Sequence, residues 1–389
     1  MQLKNWKSYL RFIAHKCQMY YSDISERVIG FFNLYKIKSL KLENYVLIIE
    51  FNPWHGETLP GYVKYFQDLG YSVVVVTKYH VYKENPFCRM VEKPLHLFMN
   101  IKRMKLLLNS PFISRVAYCL ITSDPIWFNS IAKRVRVVDF LDKLPGEKEK
   151  CGIVLHKIED SEVNPEPEHP DWSIDRLLQY VFVLTPMKYH GVVLPMLNPY
   201  YFGPIRKKSL SGCITRFITI GSVKKTTRNF SELSAALSNL KGNWELKVIG
   251  NIDDMNCLND LPSQVKVLGR LDFESMYREI ENSDYLLPLL DPECEAHKHY
   301  LNSCTSGSRQ LILGFSIVPV IHEEFALHYG FSSDNAILYK KKTFGDAMQH
   351  AIDLSEEKYS RMVSSLQNEV QKVHDESFRN LKARMNLQN

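Results

Sequence analysis

The sequence has no apolar run long enough to cross a bilayer. Its longest, such as Val46-Leu47-Ile48-Ile49 and Val73-Val74-Val75-Val76, are strand-sized, whereas a membrane-spanning helix needs roughly 18 residues or more. Cysteine pairing is missing as well: the eight cysteines are scattered and none forms a Cys-x-x-Cys pair. That argues against a zinc site or a disulfide framework and for reduced thiols in a reducing compartment. An excess of one charge is also lacking, since 49 basic and 43 acidic residues leave a formal net charge of +6. A dedicated nucleic-acid binder would concentrate far more positive charge on one stretch, so no nucleic-acid partner is expected. Nucleotide phosphates and an anionic membrane surface both suit a mildly basic chain. No secretory leader pattern and no repeat is visible, which points to the cytoplasm. What is present is an ordinary globular balance, 45% hydrophobic and 24% charged over 389 residues, enough for two or three domains with large cores.

Residues 1–44 read as a basic amphipathic helical segment. On a helical projection Leu3, Trp6, Leu10, Ile13, Cys17 and Tyr20 share one face, opposite Lys4, Lys7, Arg11 and His15. Such a helix can lie in a membrane interface, at the inner face of the membrane, or pack on the domain with its lysines in water. After Asn44 strands alternate with helices. Strands are expected at 45–51, 71–77, 115–122, 135–140, 152–156 and 180–185, with a helix from Pro60 to a stop at Gly70. Residues 95–108 read as an amphipathic helix, and with Lys133-Arg134 it could form a basic, apolar surface for a lipid-linked acceptor or pack as an ordinary surface helix. The stretch 156–174, acidic and rich in proline, reads as a surface loop.

These elements make 45–205 a first parallel α/β domain. Residues 206–355 repeat the alternation as a second, Rossmann-like one, and 356–389 form a terminal helix whose single apolar stripe packs back toward the first domain. Three features converge on the second domain. The loop Gly221-Ser222-Val223-Lys224-Lys225-Thr226-Thr227-Arg228 follows a strand and opens a helix; glycine admits a ligand to the backbone, and helix-start N–H groups and cations suit a diphosphate. It has neither the Walker spacing nor the Gly-x-Gly-x-x-Gly fingerprint, and a solvated loop at a capped helix would look the same. The run Thr305-Ser306-Gly307-Ser308 before an apolar helix suits a phosphate or ribose, or simple N-capping. A buried strand ends in Asp291.

The order of these pieces carries more than any one of them. Ile218-Thr219-Ile220-Gly221-Ser222, Glu245-Leu246-Lys247-Val248-Ile249-Gly250, Val265-Lys266-Val267-Leu268-Gly269, Ser283-Asp284-Tyr285-Leu286-Leu287-Pro288-Leu289 and Val318-Pro319-Val320-Ile321 together resemble the nucleotide-sugar domain of GT-B glycosyltransferases, in the branch called group 1 or family 4. The resemblance covers about residues 214–355. It implies two Rossmann-like α/β domains facing a cleft. The implied activity is metal-independent transfer of a sugar from a nucleotide-diphosphate sugar to a saccharide or lipid-linked acceptor, in surface polysaccharide or glycolipid synthesis. The nucleotide sugar is a co-substrate, and no further cofactor is implied. Gly221, Ser222, Lys224, Lys225, Arg228, Gly250, Asp291 and Thr305 to Ser308 would bind the donor, with Arg228 nearest the usual helix-start lysine. The family's pair of glutamates before the Pro-Val-Ile strand is missing: no acid lies between Glu295 and Glu323, and Glu293 and Glu295 are the nearest substitutes. That leaves the stereochemical course open, and with it a sugar-nucleotide epimerase or a non-catalytic binder as alternatives.

In the first domain His55 and Glu57 follow the first strand, where either could take the proton of an attacking hydroxyl. His156 follows another strand, at the place where the resembled family has a histidine near the transferred sugar. Alternatively, these are an ordinary loop histidine and a first-turn glutamate.

Overall fold

The computed structural model describes residues 24–40, 44–52, 55–123, 150–158, 178–189, 191–206, 208–210, 212–259, 261–301 and 303–387. The helix expected at 3–20, the strand expected at 135–140, Lys133-Arg134 and most of the acidic loop lie outside them. The chain divides into two compact units. One comprises the residues up to 87, 91–155 and 161–181, the other 88–90, 156–160 and everything from 182 onward.

The first unit opens with helix α1, residues 24–38, and carries the parallel strands β1 (Tyr45–Ile49), β2 (Ser72–Thr77), β3 (Leu95–Phe98), β4 (Tyr118–Ile121) and β5 (Cys151–Leu155); β6 (Val181–Val183), at whose first residue the unit ends, completes the sheet order β3-β2-β1-β4-β5-β6. Its central strands are buried along their whole length, as continuous apolar runs covered on both faces must be. Register runs from Tyr45 opposite Ser72 to Ile49 opposite Val76 on one side of β1. On the other side Val46 lies opposite Tyr118 and Ile49 opposite Ile121. Helix α2 (Leu59–Asp68) starts with Pro60 in its first turn and stops before Gly70, whose φ is +81°. Helix α3 (Tyr79–Glu84) follows β2. The amphipathic helix expected over 95–108 is two elements, since Leu95–Phe98 joins the sheet as β3 and only Ile101–Leu108 is helical (α4). The Asn100 side chain, which accepts the Arg103 N–H at 3.0 Å, starts α4 where the apolar spacing alone shows no break.

The second unit carries the parallel strands β9 (Thr215–Ile220), β10 (Trp244–Ile249), β11 (Val265–Gly269), β12 (Tyr285–Leu286), β13 (Val318–His322) and β14 (Ile337–Tyr339), in the order β11-β10-β9-β12-β13-β14. A small antiparallel pair, β7 (Lys188–Tyr189) and β8 (Val192–Val193), precedes them. Helices α5 (Phe230–Leu237), α6 (Phe273–Glu281), α7 (Glu295–Lys298), α8 (Gly307–Phe315), α9 (Glu323–Tyr329), α10 (Phe344–Ile352) and α11 (Glu356–Arg384) complete it. The strand expected to run to Leu290 ends at Leu286, and Leu289 takes a positive φ of 54°.

Residues 182–205, expected to close the first domain, belong to the second unit. There Phe202 stacks on Phe315 at 5.3 Å and meets Tyr277 at 5.4 Å, over a Gly314 whose added Cβ would lie 2.1 Å from the Tyr200 carbonyl oxygen. Helix α11 packs on this same segment, within the residues 45–205 toward which it was expected to turn back. Ser377 Oγ accepts the Asn198 N–H at 3.0 Å, and Asn380 Nδ2 donates to the Met196 carbonyl at 2.9 Å.

In both sheets the strand order reverses beside the first strand, between β1 and β4 and between β9 and β12. In an open α/β sheet ligands bind outside the carboxyl ends of the strands at such a reversal.

Candidate functional site

In the second unit two glycines meet at the carboxyl ends of β9 and β10, the strands on one side of the reversal. Gly221 follows β9 with φ +139°, and Gly250 follows β10 with φ +147°, a region of backbone space that is costly for other residues. A Cβ on Gly250 would lie 1.8 Å from the Gly221 carbonyl oxygen, so the two loops touch backbone to backbone. Gly221 N–H donates to Ile249 O and Val223 N–H to Asn251 O, at 2.9 and 2.8 Å. Residues 224–228 then form one turn, with the Arg228 N–H on Lys224 O at 3.1 Å. The Thr227 hydroxyl donates to Ser222 O, and Ser222 Oγ donates to Asp253.

The three cations of this loop separate. Lys224 and Lys225 are exposed, whereas Arg228 is 9% exposed and folds back beneath Gly221. Its Nη1 donates to Thr227 O at 2.6 Å and its Nη2 to Ile220 O at 3.0 Å, while the buried Nε has no partner. No carboxylate pairs with it among the described residues. Burial lowers its pKa, against a smaller opposing effect of the Tyr300 and Tyr329 phenols, but a guanidinium remains charged. A buried cation held only by carbonyl oxygens has lost hydration without gaining a counter-ion, and the site is thus electrostatically prepared for an anion.

Beyond Arg228, Asn229 caps α5 and joins the two reversal strands. Its Oδ1 accepts the Glu232 N–H at 3.2 Å, and its Nδ2 reaches Asp291 Oδ2 at 3.0 Å and Glu232 Oε2 at 3.1 Å. Burial, then the neighbouring Asp291, raises the Glu232 pKa. His297, absent from the sequence reading, is fully buried and accepts the Asp291 N–H on Nδ1 at 3.0 Å. Burial, then the Arg228 charge, lowers its pKa. The neutral ring therefore carries its proton on Nε2, a buried donor without a partner. Only the contact with Asp291 distinguishes His297 from any histidine in a short helix. Glu293 and Glu295 are surface ion pairs, with Lys341 and Lys298, both at 2.5 Å.

At α8 the Ser306 hydroxyl caps the helix by accepting the Ser308 N–H at 3.4 Å. Ser306 and Ser308 are buried, and an added Cβ on Gly307 would meet nothing within 4 Å. Thr305 Oγ1 lies 2.8 Å from Thr185 Oγ1, and the Thr305 N–H donates to the His156 carbonyl at 3.1 Å. Strand β5 ends at Leu155, and His156 groups with the second unit rather than the first, because residues 156–158 pair with 303–305.

The first unit gathers acids at its own reversal point. Glu50, hidden in the sequence inside an apolar strand run, is fully buried just past β1. Its Oε1 accepts the Asn52 N–H at 2.5 Å and the Ser123 hydroxyl, and its Oε2 accepts Thr122 Oγ1 at 2.9 Å. Burial raises its pKa, with the His55 charge and these donors opposing. His55 Nδ1 lies 3.6 Å from Glu57 Oε1. Burial works to lower the His55 pKa, but Glu57 and then Glu50 outweigh it and raise the value. An imidazole between two carboxylates can accept and hold a proton. Among the described residues no group of three or more His, Cys, Asp or Glu could hold a metal ion, and no helix is long and apolar enough to cross a membrane.

No family model and no curated protein matches the sequence. Solved structures do match the fold. AviGT4, a glycosyltransferase involved in avilamycin A biosynthesis, aligns over 87% of this chain and 98% of its own at 10% identity, with a TM-score of 0.53. A glycosyltransferase from Rickettsia africae aligns over 89% and 99% at 13% identity, with a TM-score of 0.51. The fold is GT-B. It comprises two parallel six-stranded α/β sheets, as the resemblance of the second domain implied.

Proposed function

We propose that the protein is a glycosyltransferase that moves a sugar from a nucleotide-diphosphate sugar, bound by the second unit, to a saccharide or lipid-linked acceptor. The observation that carries this reading is the buried, carboxylate-free Arg228 beneath the Gly221 loop at the strand reversal of a GT-B fold. When the bond from the anomeric carbon to the diphosphate breaks, negative charge collects on the leaving oxygen, and a preorganised cation there lowers the barrier. Arg228 supplies it, Lys224 and Lys225 meet the outer phosphate, and Gly221, Ser222 and Gly250 let the backbone approach. Thr305, Ser306, Gly307 and Ser308 contribute hydroxyls and helix-start N–H groups to phosphate or ribose, and Asp291 is held in place by Asn229. With these cations the proposed reaction requires no metal ion. In the first unit His55, steadied by Glu57, is the base for an acceptor hydroxyl, and His156 is assigned to the transferred sugar. The product belongs to surface polysaccharide or glycolipid synthesis, made at the inner face of the membrane.

The test is a thermal-shift panel of UDP, GDP, CMP, dTDP and their common sugars, followed by assay of donor consumption with saccharide acceptors. A ligand at about a hundred times its dissociation constant adds roughly 2.7 kcal/mol of stability. Selective stabilisation by one nucleotide, lost in Arg228→Met, is expected; no response to any nucleotide overturns the proposal. The acid-free stretch between Glu295 and Glu323 favours a second reading, a nucleotide-sugar binder without turnover. It would stabilise with nucleotide yet consume no donor, and an epimerase would interconvert the sugar without an acceptor.

A further inference from the structure

Helix α1 is amphipathic the wrong way round. Its inward face is formed by Glu26, Gly30, Asn33 and Ile37, all buried. Glu26 Oε1 accepts the Tyr79 N–H at 3.0 Å and the Glu26 carbonyl accepts Arg103 Nη1 at 3.1 Å. Asn33 Nδ2 donates to Phe98 O at 2.7 Å, and Gly30 packs so closely that an added Cβ would lie 3.1 Å from Met99 Cα. The helix is thus fastened by hydrogen bonds and a glycine contact rather than by an apolar stripe. Its apolar stripe faces outward: Ile24, Val28, Phe31 and Tyr35 recur at helical spacing, with Phe32 beside them, and the last four are 54, 58, 72 and 64% exposed in that order. Soluble surfaces scatter single exposed apolar residues, but a continuous stripe of large ones marks a contact.

The charges around the stripe identify what it contacts. At 100° per residue Arg27 and Lys38 fall along one flank and Lys36 along the other, and Glu26, the only acid in α1, is turned inward. Helix α4, tied to α1 through Arg103, adds Lys102, Lys105 and an exposed Leu106 and contains no acid. We propose that the outward face of α1, with the exposed side of α4, docks the first unit on an anionic lipid surface. In that arrangement Val28, Phe31, Phe32 and Tyr35 enter the headgroup boundary and the flanking cations meet lipid phosphates. A folded partner with an acidic rim would match the same charges, but bulky aromatics flanked by long basic side chains are the composition of an interfacial helix. The face belongs wholly to the first unit, so its test is independent of the proposed donor site.

The experiment is flotation of the full chain with vesicles of phosphatidylcholine alone and of phosphatidylcholine with phosphatidylglycerol, with sedimentation velocity in their absence. The protein should float with the anionic vesicles, and added salt should weaken binding. The combined variant Phe31→Ser, Phe32→Ser, Tyr35→Ser should bind at least about tenfold more weakly, and Lys36→Glu with Lys38→Glu should lose most of the preference for the anionic vesicles. Both variants alter exposed side chains, so melting temperature and nucleotide-induced stabilisation should match the parent. The proposal is overturned if the parent ignores anionic vesicles or if the serine variant floats as the parent does. It is also overturned if the serine substitutions merely convert a dimer to a monomer while vesicle binding stays unchanged, which would make a second copy the occupant.

Discussion

Gly221 lies directly against the Arg228 guanidinium, so that a Cβ on the glycine would sit 2.6 Å from Nη2. One missing side chain therefore decides where the buried cation rests, and the same loop is pressed from the other side by Gly250. The two contacts differ in kind, one with the end of a flexible side chain and the other with backbone.

Substituting the two glycines should separate these contacts. Both positions carry a positive φ, worth about 1–3 kcal/mol of strain for a residue with a side chain. Gly221→Ala should stay near that cost and weaken nucleotide binding, because Arg228 can swing aside. Gly250→Ala should cost clearly more, since its Cβ meets a carbonyl oxygen that cannot retreat. Urea unfolding of both variants measures the difference; equal costs would mean that the loops can part.

Arg228→Met removes a buried charge that lacks a counter-ion while keeping a long side chain. Stability should be unchanged or should rise by about 1–4 kcal/mol, as when buried ionic groups give way to apolar ones of similar size. Nucleotide stabilisation should vanish and turnover should fall by about 10²–10³. A variant less stable than the parent would mean that the guanidinium supports the fold instead.

Glu50 links folding to pH. Because its pKa is raised in the folded protein, the folded state holds that proton more tightly than the unfolded chain does. Its contribution is fully present below the ordinary carboxylate value and is lost as pH rises through the raised one. Glu50→Gln preserves the contacts, since Oε1 can still accept Asn52 and Ser123 while its amide donates to Thr122. Unfolding followed across this range should show the parent losing stability relative to the glutamine variant as pH rises. Parallel curves would place a charged Glu50 at no cost.

The acid limb of activity should respond to Glu57. The carboxylates of Glu57 and Glu50 hold the His55 pKa up, and a base works only when deprotonated. Glu57→Gln should therefore shift the acid limb to lower pH, with the imidazole resonance titrating in parallel. An unmoved limb would remove His55 from the proton transfer.

Much of the architecture could be read from the chain. Runs such as Val73 to Val76 mark strands buried on both faces, and the spacing of Gly221, Gly250, Gly269 and Pro319 outlines the second sheet. The errors have physical causes. Leu97 and Phe98 continue into Ile101 and Met104 at helical spacing, so β3 merged with α4 until Asn100 showed where the helix begins. Residues 182–205 read as first-domain chain because their partners Phe315 and Ser377 lie far along the sequence. Glu50 and His297 were invisible because a buried polar side chain is identified by what it bonds. The inward Glu26 and Asn33 reverse the usual rule for a surface helix for the same reason.

Helix α11 has a consequence for synthesis. The Asn198 N–H bonds to Ser377 across 179 residues and Met196 to Asn380 across 184, while Tyr359, at the other end of the helix, reaches the Asp284 carbonyl at 2.9 Å. Strands β9 to β14 can pair as they leave the ribosome. The segment leading into them acquires these α11 partners only after residue 380 has emerged, so the nascent second unit carries an open seam along residues 196–198 for most of its translation. A nascent-chain arrest placed near the end of α11, which keeps that helix inside the exit tunnel, would leave β9 to β14 outside with that seam still bare.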